Sequence, residues 1–164
     1  MDKSNTAATT IDFDQMPTLG DVARYQARVR PDQLALVFEG RETTYAEFDR
    51  HTNQVANALI AAGLTKGQRI AYLGKNSDHY FELMFGALKA GVVIAPIGWR
   101  LAPPEVAYIA GDSEAAMLFV GPEVADQAAA IAPDLPNLKI VAMEPNDRGW
   151  PTFEAWRDAQ PDRD

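Results

Sequence analysis

Chemistry in this chain has few places to start from. Gly74-Lys75-Asn76-Ser77 sets a cation beside an Asn/Ser pair at the mouth of a helix, where free backbone N–H groups can hold an anion. The same four residues also spell an ordinary strand-to-helix turn with a polar cap. Gly98-Trp99-Arg100-Leu101 puts a flat apolar ring next to a fork of N–H donors, a combination suited to a phosphate. The alternative there is a packed Trp99 with Arg100 paired to Glu105. His51 and His79 are the only histidines. Neither has Ser and Asp neighbours arranged as a triad, and each reads as a partly exposed structural residue. The carboxylates are scattered singly along helices and read as solvating.

Several chemistries are excluded outright. There is no cysteine, which removes disulfides, zinc–thiolate sites and a thiol nucleophile. No G-x-G-x-x-G occurs. Gly86 and Gly91 have the spacing of a Walker loop, but Val92-Val93 stand where its Lys and Ser/Thr belong. Gly63-Leu-Thr-Lys-Gly67 precedes a strand and reads as a turn. The 15 Lys and Arg against 23 Asp and Glu give a net charge of −8, the wrong sign for a nucleic-acid partner. No run approaches the roughly 18–20 apolar residues of a membrane span. The first residues carry no apolar core of a signal and too many acids for a transit peptide, so a cytoplasmic location is expected. Arg24, Arg28 and Arg30 share one helix. They leave peripheral approach to a membrane or an acyl carrier open, beside the simpler reading of a solvated face.

The elements that must position these residues follow from periodicity. Residues 1–16 read as a flexible lead-in. Thr18 is expected to cap a helix through Leu19, Val22, Ala23, Gln26 and Val29, closed before Pro31. Leu34–Phe38 reads as a strand that turns at Glu39-Gly40-Arg41 into a second one near Glu42–Thr44. Thr44-x-x-Glu47 is a capping box ahead of a helix whose apolar face carries Tyr45, Phe48, Val55, Ala56, Leu59 and Ile60, ended by Gly63. Strands are then expected at Ile70–Leu73, Val92–Ala95 (buried, ended by Pro96), Ala116–Val120 and Leu138–Ala142. Helices fill the gaps at Ser77–Ala90, Pro104–Ala110 and Pro122–Ala132. The spacing of roughly 22–24 residues between strand starts is the βαβ rhythm of a parallel sheet, with right-handed crossovers. Tyr80, Phe81, Leu83, Met84, Phe85 and Leu88 make the Ser77 helix apolar almost all round, predicting burial on more than one side. Residues 144–164 hold six acids, three arginines and three prolines. They read as a polar tail in which Thr152 caps one short helix bearing Phe153 and Trp156. The 164 residues suffice for one domain.

A series of ordered segments resembles a known family. Pro31-Asp32, Ala35-Leu36 and Thr44-Tyr45-x-x-Phe48 come first. Gly63-Leu-Thr-Lys-Gly67-Gln-Arg-Ile-Ala71, Asn76-Ser77 and Ala87-Leu-Lys-Ala-Gly91-Val92 follow. Pro96-Ile-x-x-Arg100-Leu101, Glu105-Val-Ala-Tyr-Ile109 and Asp112-Ser113 complete the set. From Thr18 to Met143 the chain is similar to the N-terminal region of the AMP-forming acyl-CoA synthetases, the adenylate-forming ligases, and is nearest to bacterial fatty-acyl-CoA ligases. The resemblance implies an α/β fold, a parallel βαβ sheet flanked by helices with a small N-terminal hairpin, the sheet left incomplete. It also implies domain limits: the lead-in at 1–16, an α/β subdomain at 17–143, and the tail at 144–164 stopping before the phosphate loop.

The implied reaction uses ATP, Mg and CoA. A carboxylate oxygen attacks the α-phosphorus of ATP and pyrophosphate leaves. The CoA thiol then displaces AMP from the acyl carbon to give a thioester. The implied partners are a small carboxylic acid, ATP and CoA, with a homodimer common among relatives. Arg100 matches a family arginine that in some members contacts CoA phosphates, and Trp99 stands beside it. Gly98 stands where the family usually has Asn. The family's Ser/Thr/Gly-rich phosphate loop, its Tyr-Gly-x-Thr-Glu motif, its ribose-binding Asp and its catalytic Lys are not in these 164 residues. No catalytic residue is therefore assigned, and this chain alone is expected to adenylate nothing. A reading from another class is a free-standing, non-catalytic module that binds an acyl-CoA or a partner. An unrelated flavodoxin-like domain is a third.

Overall fold

A computed structural model describes residues 12–164. Of the lead-in expected over 1–16, residues 1–11 lie outside the described residues. From Asp12 on, a short 3-10 turn, Phe13–Gln15, is capped by the Asp12 carboxylate, which accepts the Asp14 N–H at 3.1 Å.

Helix α1 spans Asp21–Val29 and starts later than the Thr18 signal suggested. Thr18 does not cap it; its N–H and hydroxyl both donate to the Asp21 carboxylate, at 3.0 and 2.6 Å, in a turn ahead of the helix. Strands β1 (Leu34–Phe38) and β2 (Arg41–Thr44) pair antiparallel. Glu39 and Gly40 both take positive φ, +47° and +85°. Such a two-residue turn twists the way the hairpin strands do. The capping box at α2 (Tyr45–Ala61) forms as its spacing predicts. The Glu47 carboxylate accepts the Thr44 N–H at 2.9 Å, and Thr44 Oγ1 accepts the Glu47 N–H at 3.3 Å. Phe48, Val55, Ala56 and Leu59 are buried, while Ile60 is 57% exposed and leaves the apolar face it was assigned to.

Four parallel strands follow: β3 (Arg69–Leu73), β4 (Val93–Ile97), β5 (Met117–Val120) and β6 (Lys139–Ala142), in spatial order β4-β3-β5-β6. Helices α3 (Asp78–Ala90) and α4 (Pro103–Asp112) lie between them, with α5 (Ala125–Ile131) before β6. Gly63 and Gly91, at φ +92° and +69°, end α2 and α3. The expected helix at Pro122–Ala132 is broken into a 3-10 turn, α5 and a second 3-10 turn.

Side-chain alternation along the strands builds two cores. Ile70, Tyr72, Met117 and Phe119 face Val55, Leu59, Leu83 and Ala87 of α2 and α3. Ala71, Leu73, Leu118 and Val120 face Val106, Ala110, Ala128 and Ile131 of α4 and α5. Strands buried on both faces read as continuous apolar runs, which is how β3 and β5 are written. Strand β4 differs from expectation. It is an edge strand, exposed or partly exposed from Val93 to Pro96 and buried only at Ile97, and it runs through Pro96, which pairs in register with Tyr72. An edge strand tolerates a proline because one side of it needs no ladder donor.

Helix α3 departs from its expected pattern at several positions, although Leu83 is core as expected. Phe81 and Leu88 are exposed, and the buried residues include Asp78, His79 and Glu82. The polar tail is likewise docked. Thr152 caps helix α6 (Phe153–Asp158) by accepting the Ala155 N–H, and Phe153 is completely buried beside Trp156 in the α2/α3 core. Beyond it, Asn53, Gln54 and Asn57 of α2 donate to backbone carbonyls at Gln160–Arg163.

Candidate functional site

The strand order creates a switch point. The chain leaves β3 toward β4 on one side and leaves β5 toward β6 on the other, so the two following loops diverge from adjacent strand ends. In open α/β sheets ligands settle in the crevice at such a point. A cleft of about 540 Å³ lies there. Its floor is Tyr72, Gly121 and Met143 at the ends of β3, β5 and β6. Lys75, Asn76 and Ser77 line one side, Pro122 and Glu123 another, and Phe38, Glu39 and Arg41 of the hairpin close over the top.

The two loops are bolted together. The Gly121 N–H donates to the Leu73 carbonyl at 2.8 Å. A Cβ at Gly74 would lie 2.9 Å from the Tyr72 hydroxyl and 3.1 Å from Gly121 Cα, and one at Gly121 would lie 3.0 Å from Gly74 Cα. Only glycines permit this approach of the backbones. Lys75 is held at both ends of its backbone unit: its N–H donates to Glu123 Oε1 at 2.5 Å, and its carbonyl accepts the Tyr72 hydroxyl. Burial, reinforced by the Glu123 charge, pushes the Tyr72 hydroxyl well above the usual tyrosine range, so it stays a donor.

From this pinned loop the Lys75 ammonium reaches over the Trp99 ring, 4.7 Å from its centroid, and the Arg100 guanidinium lies 4.3 Å from the same centroid. Trp99 is half-buried, packed on the core between the sheet and α4/α5. Among the described residues neither Lys75 nor Arg100 has a carboxylate within salt-bridge distance. Glu105, the pairing considered for Arg100, instead accepts the Ala102 N–H at 2.8 Å at the start of α4. Both anion-binding candidates of the sequence thus converge on one ring, although Trp99 lies 24 positions after Lys75. Gly98 has no positive φ, and a Cβ there would meet only the Leu101 side chain at 3.4 Å, so its backbone does not demand glycine.

Arg41, on the opposite wall, is already spent. Its fork grips Asp78 at 2.7 and 2.8 Å and reaches Glu144 at 2.8 Å. Burial raises the Asp78 carboxyl, but the Arg41 fork, the His79 N–H and the neighbouring positive charges outweigh that and hold it below the ordinary value. The histidines are structural. His79 is buried rather than partly exposed, its Nδ1–H donating to the Met143 carbonyl at 3.1 Å; His51 Nδ1 meets Glu82 at 2.8 Å. Arg24 of the α1 basic face is committed to Asp21 and Asp164. Among the described residues no group of three or more His, Asp or Glu is placed to hold a metal ion, so no step is assigned to magnesium. No helix among them is long and apolar enough to cross a membrane.

Sequence reasoning missed Glu123, Tyr72, Asp78 and Glu144. The one available signal was a glycine immediately after each of two apolar strands, Gly74 and Gly121.

The AMP-binding enzyme family matches residues 23–163, and the chain belongs to it. It is 40% identical over 154 residues to the fatty acid–[acyl-carrier-protein] ligase ScoC of Streptomyces coeruleorubidus, covering 92% of this chain and 28% of that protein. It is 38% identical over 108 residues to the long-chain-fatty-acid–CoA ligase FadD13 of Mycobacterium tuberculosis, covering 65% of this chain and 22% of that one. The anthranilate CoA ligase AuaEII, solved with anthranoyl-AMP, superposes with a TM-score of 0.83 at 30% identity, over 93% of this chain and 30% of its own. The parallel sheet and the small hairpin are therefore the N-terminal part of an adenylate-forming ligase fold, and the chain spans less than a third of these relatives' lengths.

Proposed function

We propose that this chain is part of an AMP-forming ligase that converts a carboxylic acid, most simply a fatty acid, to its adenylate and then to a thioester of CoA. The similarity to ScoC over nearly the whole chain is the observation that carries it. In the first half-reaction a carboxylate oxygen bonds to the α-phosphorus of ATP as the bond to pyrophosphate breaks. In the second, the thiol sulfur bonds to the acyl carbon as the bond to the AMP oxygen breaks, and the thiol proton passes to solvent.

Arg100 and Trp99 are assigned to the thiol acceptor rather than to the adenylate. The guanidinium is exposed and free to grip a phosphate, and the indole gives an adenine or a pantetheine chain a flat surface. No nucleic-acid polymer fits a net charge of −8, whereas small anions need only local donors. A cytoplasmic enzyme, with a homodimer left open, agrees with this reading.

A second acceptor has a specific observation behind it: ScoC is named for transfer to an acyl-carrier protein. The test uses the full-length ligase that carries this chain. Pyrophosphate release should require both a fatty acid and ATP, and a thioester should accumulate on CoA or on a pantetheinylated carrier protein. Absence of acid-dependent pyrophosphate release would overturn the assignment and favour the non-catalytic module. The 164-residue chain by itself should release none above background, because it lacks the phosphate loop of its family.

A further inference from the structure

We infer that Lys75 is a second cationic contact for the phosphate carried by the acceptor, sharing the Trp99 ring with Arg100, and that Glu123 is the residue that positions it. This rests on the reading of Arg100 given above and adds to it the residue that reads the acceptor's charge.

Three observations lead there. First, two like charges share one indole ring, at 4.7 and 4.3 Å from its centroid, with no carboxylate on either among the described residues. Such a pair repels itself, and an anion between or beside the two relieves that repulsion. Second, Glu123 is the acid at hand and it does not neutralise the ammonium. It accepts the Lys75 backbone N–H instead, leaving the side chain uncommitted. Third, an exposed lysine ordinarily spends rotamer and backbone freedom when it binds. Here the backbone is already fixed through Glu123 and the Tyr72 hydroxyl, within a pair of loops whose glycines leave no slack. The contrast with Arg41 on the same cleft is direct: its fork is locked on Asp78 and Glu144 and offers nothing to a ligand.

A phosphate ester at the hydroxyl end of pantetheine, with the thiol free at the other end, is common to CoA and to a loaded carrier protein, while pantetheine itself has the thiol and no phosphate. Steady-state kinetics of the full-length ligase with these three acceptors decide among them. Lys75→Gln should raise KM for a phosphorylated acceptor about tenfold, the scale of one charge-assisted contact. Its kcat should stay close to wild type, and KM for pantetheine should not move. A loss with CoA alone, or with the carrier protein alone, identifies that molecule as the source of the phosphate. A loss with both supports the shared contact.

Glu123→Ala should raise the same KM by a smaller factor and add nothing once Lys75 is Gln. Glu123→Gln, whose amide oxygen still accepts the Lys75 N–H, should recover most of the loss. If the KM change is as large for pantetheine, or if no acceptor is affected while Arg100→Ala raises KM for CoA, this inference falls and the function proposed above stands. If Arg100→Ala is also without effect, that assignment falls with it. Additive effects of the Glu123 and Lys75 substitutions would remove Glu123 alone. Should Glu123→Ala not fold, Lys75→Gln against wild type still decides the contact, and Glu123→Gln decides the positioning.

Discussion

The molecule uses the same side chains in two opposite ways. Between the helical layer and the C-terminal segment, charges are buried and each has its partner. Glu82, only 2% exposed, meets Arg157 at 2.5 Å and His51 at 2.8 Å. The Lys89 ammonium, on a side chain 1% exposed, sits 2.5 Å from Asp49 and 2.6 Å from the Asn53 amide oxygen. At the C-terminal ends of the strands, Lys75 and Arg100 are exposed, stacked on an indole, and without a carboxylate among the described residues. Charge type alone does not separate the two regions; what separates them is whether the charge is already committed to a partner, and the proposed acceptor contact rests on that difference. The buried network satisfies itself and fixes where residues 153–164 lie. The exposed pair leaves its valence for something else.

The largest effects are expected in the buried network. Glu82→Ala leaves Arg157 and His51 facing an emptied, desolvated position, and should cost about 3–5 kcal/mol of unfolding free energy in a urea titration. Replacing Glu82 and Arg157 together by Met and Leu should cost much less than either single change, since neither charge of the buried pair is left without the other and Asp158, which also meets Arg157 at 2.7 Å, is exposed to solvent. An equal cost would mean that the pair is not what holds this layer.

Next in size is Gly86→Ala. A Cβ there would stand 2.4 Å from the Val55 side chain and 3.0 Å from the Thr52 carbonyl, because α2 and α3 touch backbone to side chain at that point. Overpacking of this kind costs about 1–3 kcal/mol, and Val55→Ala should relieve part of it in the double variant. Differential scanning calorimetry of the three proteins reads this out.

Smaller still is an acid-side effect. The Asp78 carboxyl is held below its ordinary 3.8 in the folded chain. Protonation therefore favours the unfolded state. The stability the Arg41–Asp78 pair supplies is complete above about pH 4 and fades as pH falls through the depressed value. Asp78→Asn should flatten that part of the stability–pH curve, and a curve as steep as wild type would reassign the acid slope to other carboxylates. At the bottom of the scale, Lys75→Gln and Arg100→Ala should move the unfolding midpoint little, as expected of exposed side chains that lie on one ring and hold no carboxylate among the described residues.

Much of this was legible in the residues. Thr44 and Glu47 spelled the capping box, the apolar runs at 70, 116 and 138 located the strands within a residue, and their spacing gave a parallel sheet. These are local signals, written within one turn or one strand. What failed was non-local. Asp78 and Glu82 read as solvating, and His79 as partly exposed, because nothing nearby in sequence announces that Arg41, Met143 and Arg157 will cover them. Phe81 and Leu88 read as core for the same reason in reverse. Pro96 read as a strand end because its sequence does not say that β4 lies at an edge. At the site, Lys75 and Trp99–Arg100 were each recognisable as anion-binding types. Their meeting depends on β3 and β4 pairing in parallel, and Glu123 enters only through the loop after β5.

In the function proposed here the exposed pair at the strand ends, not the buried network, meets the acceptor. Arg100→Ala in the full-length ligase, assayed for the apparent KM of CoA and of ATP side by side, tests it most directly. KM for CoA should rise clearly, with KM for ATP and the unfolding midpoint unchanged. An unchanged dependence on CoA, or an equal rise for ATP, would contradict it.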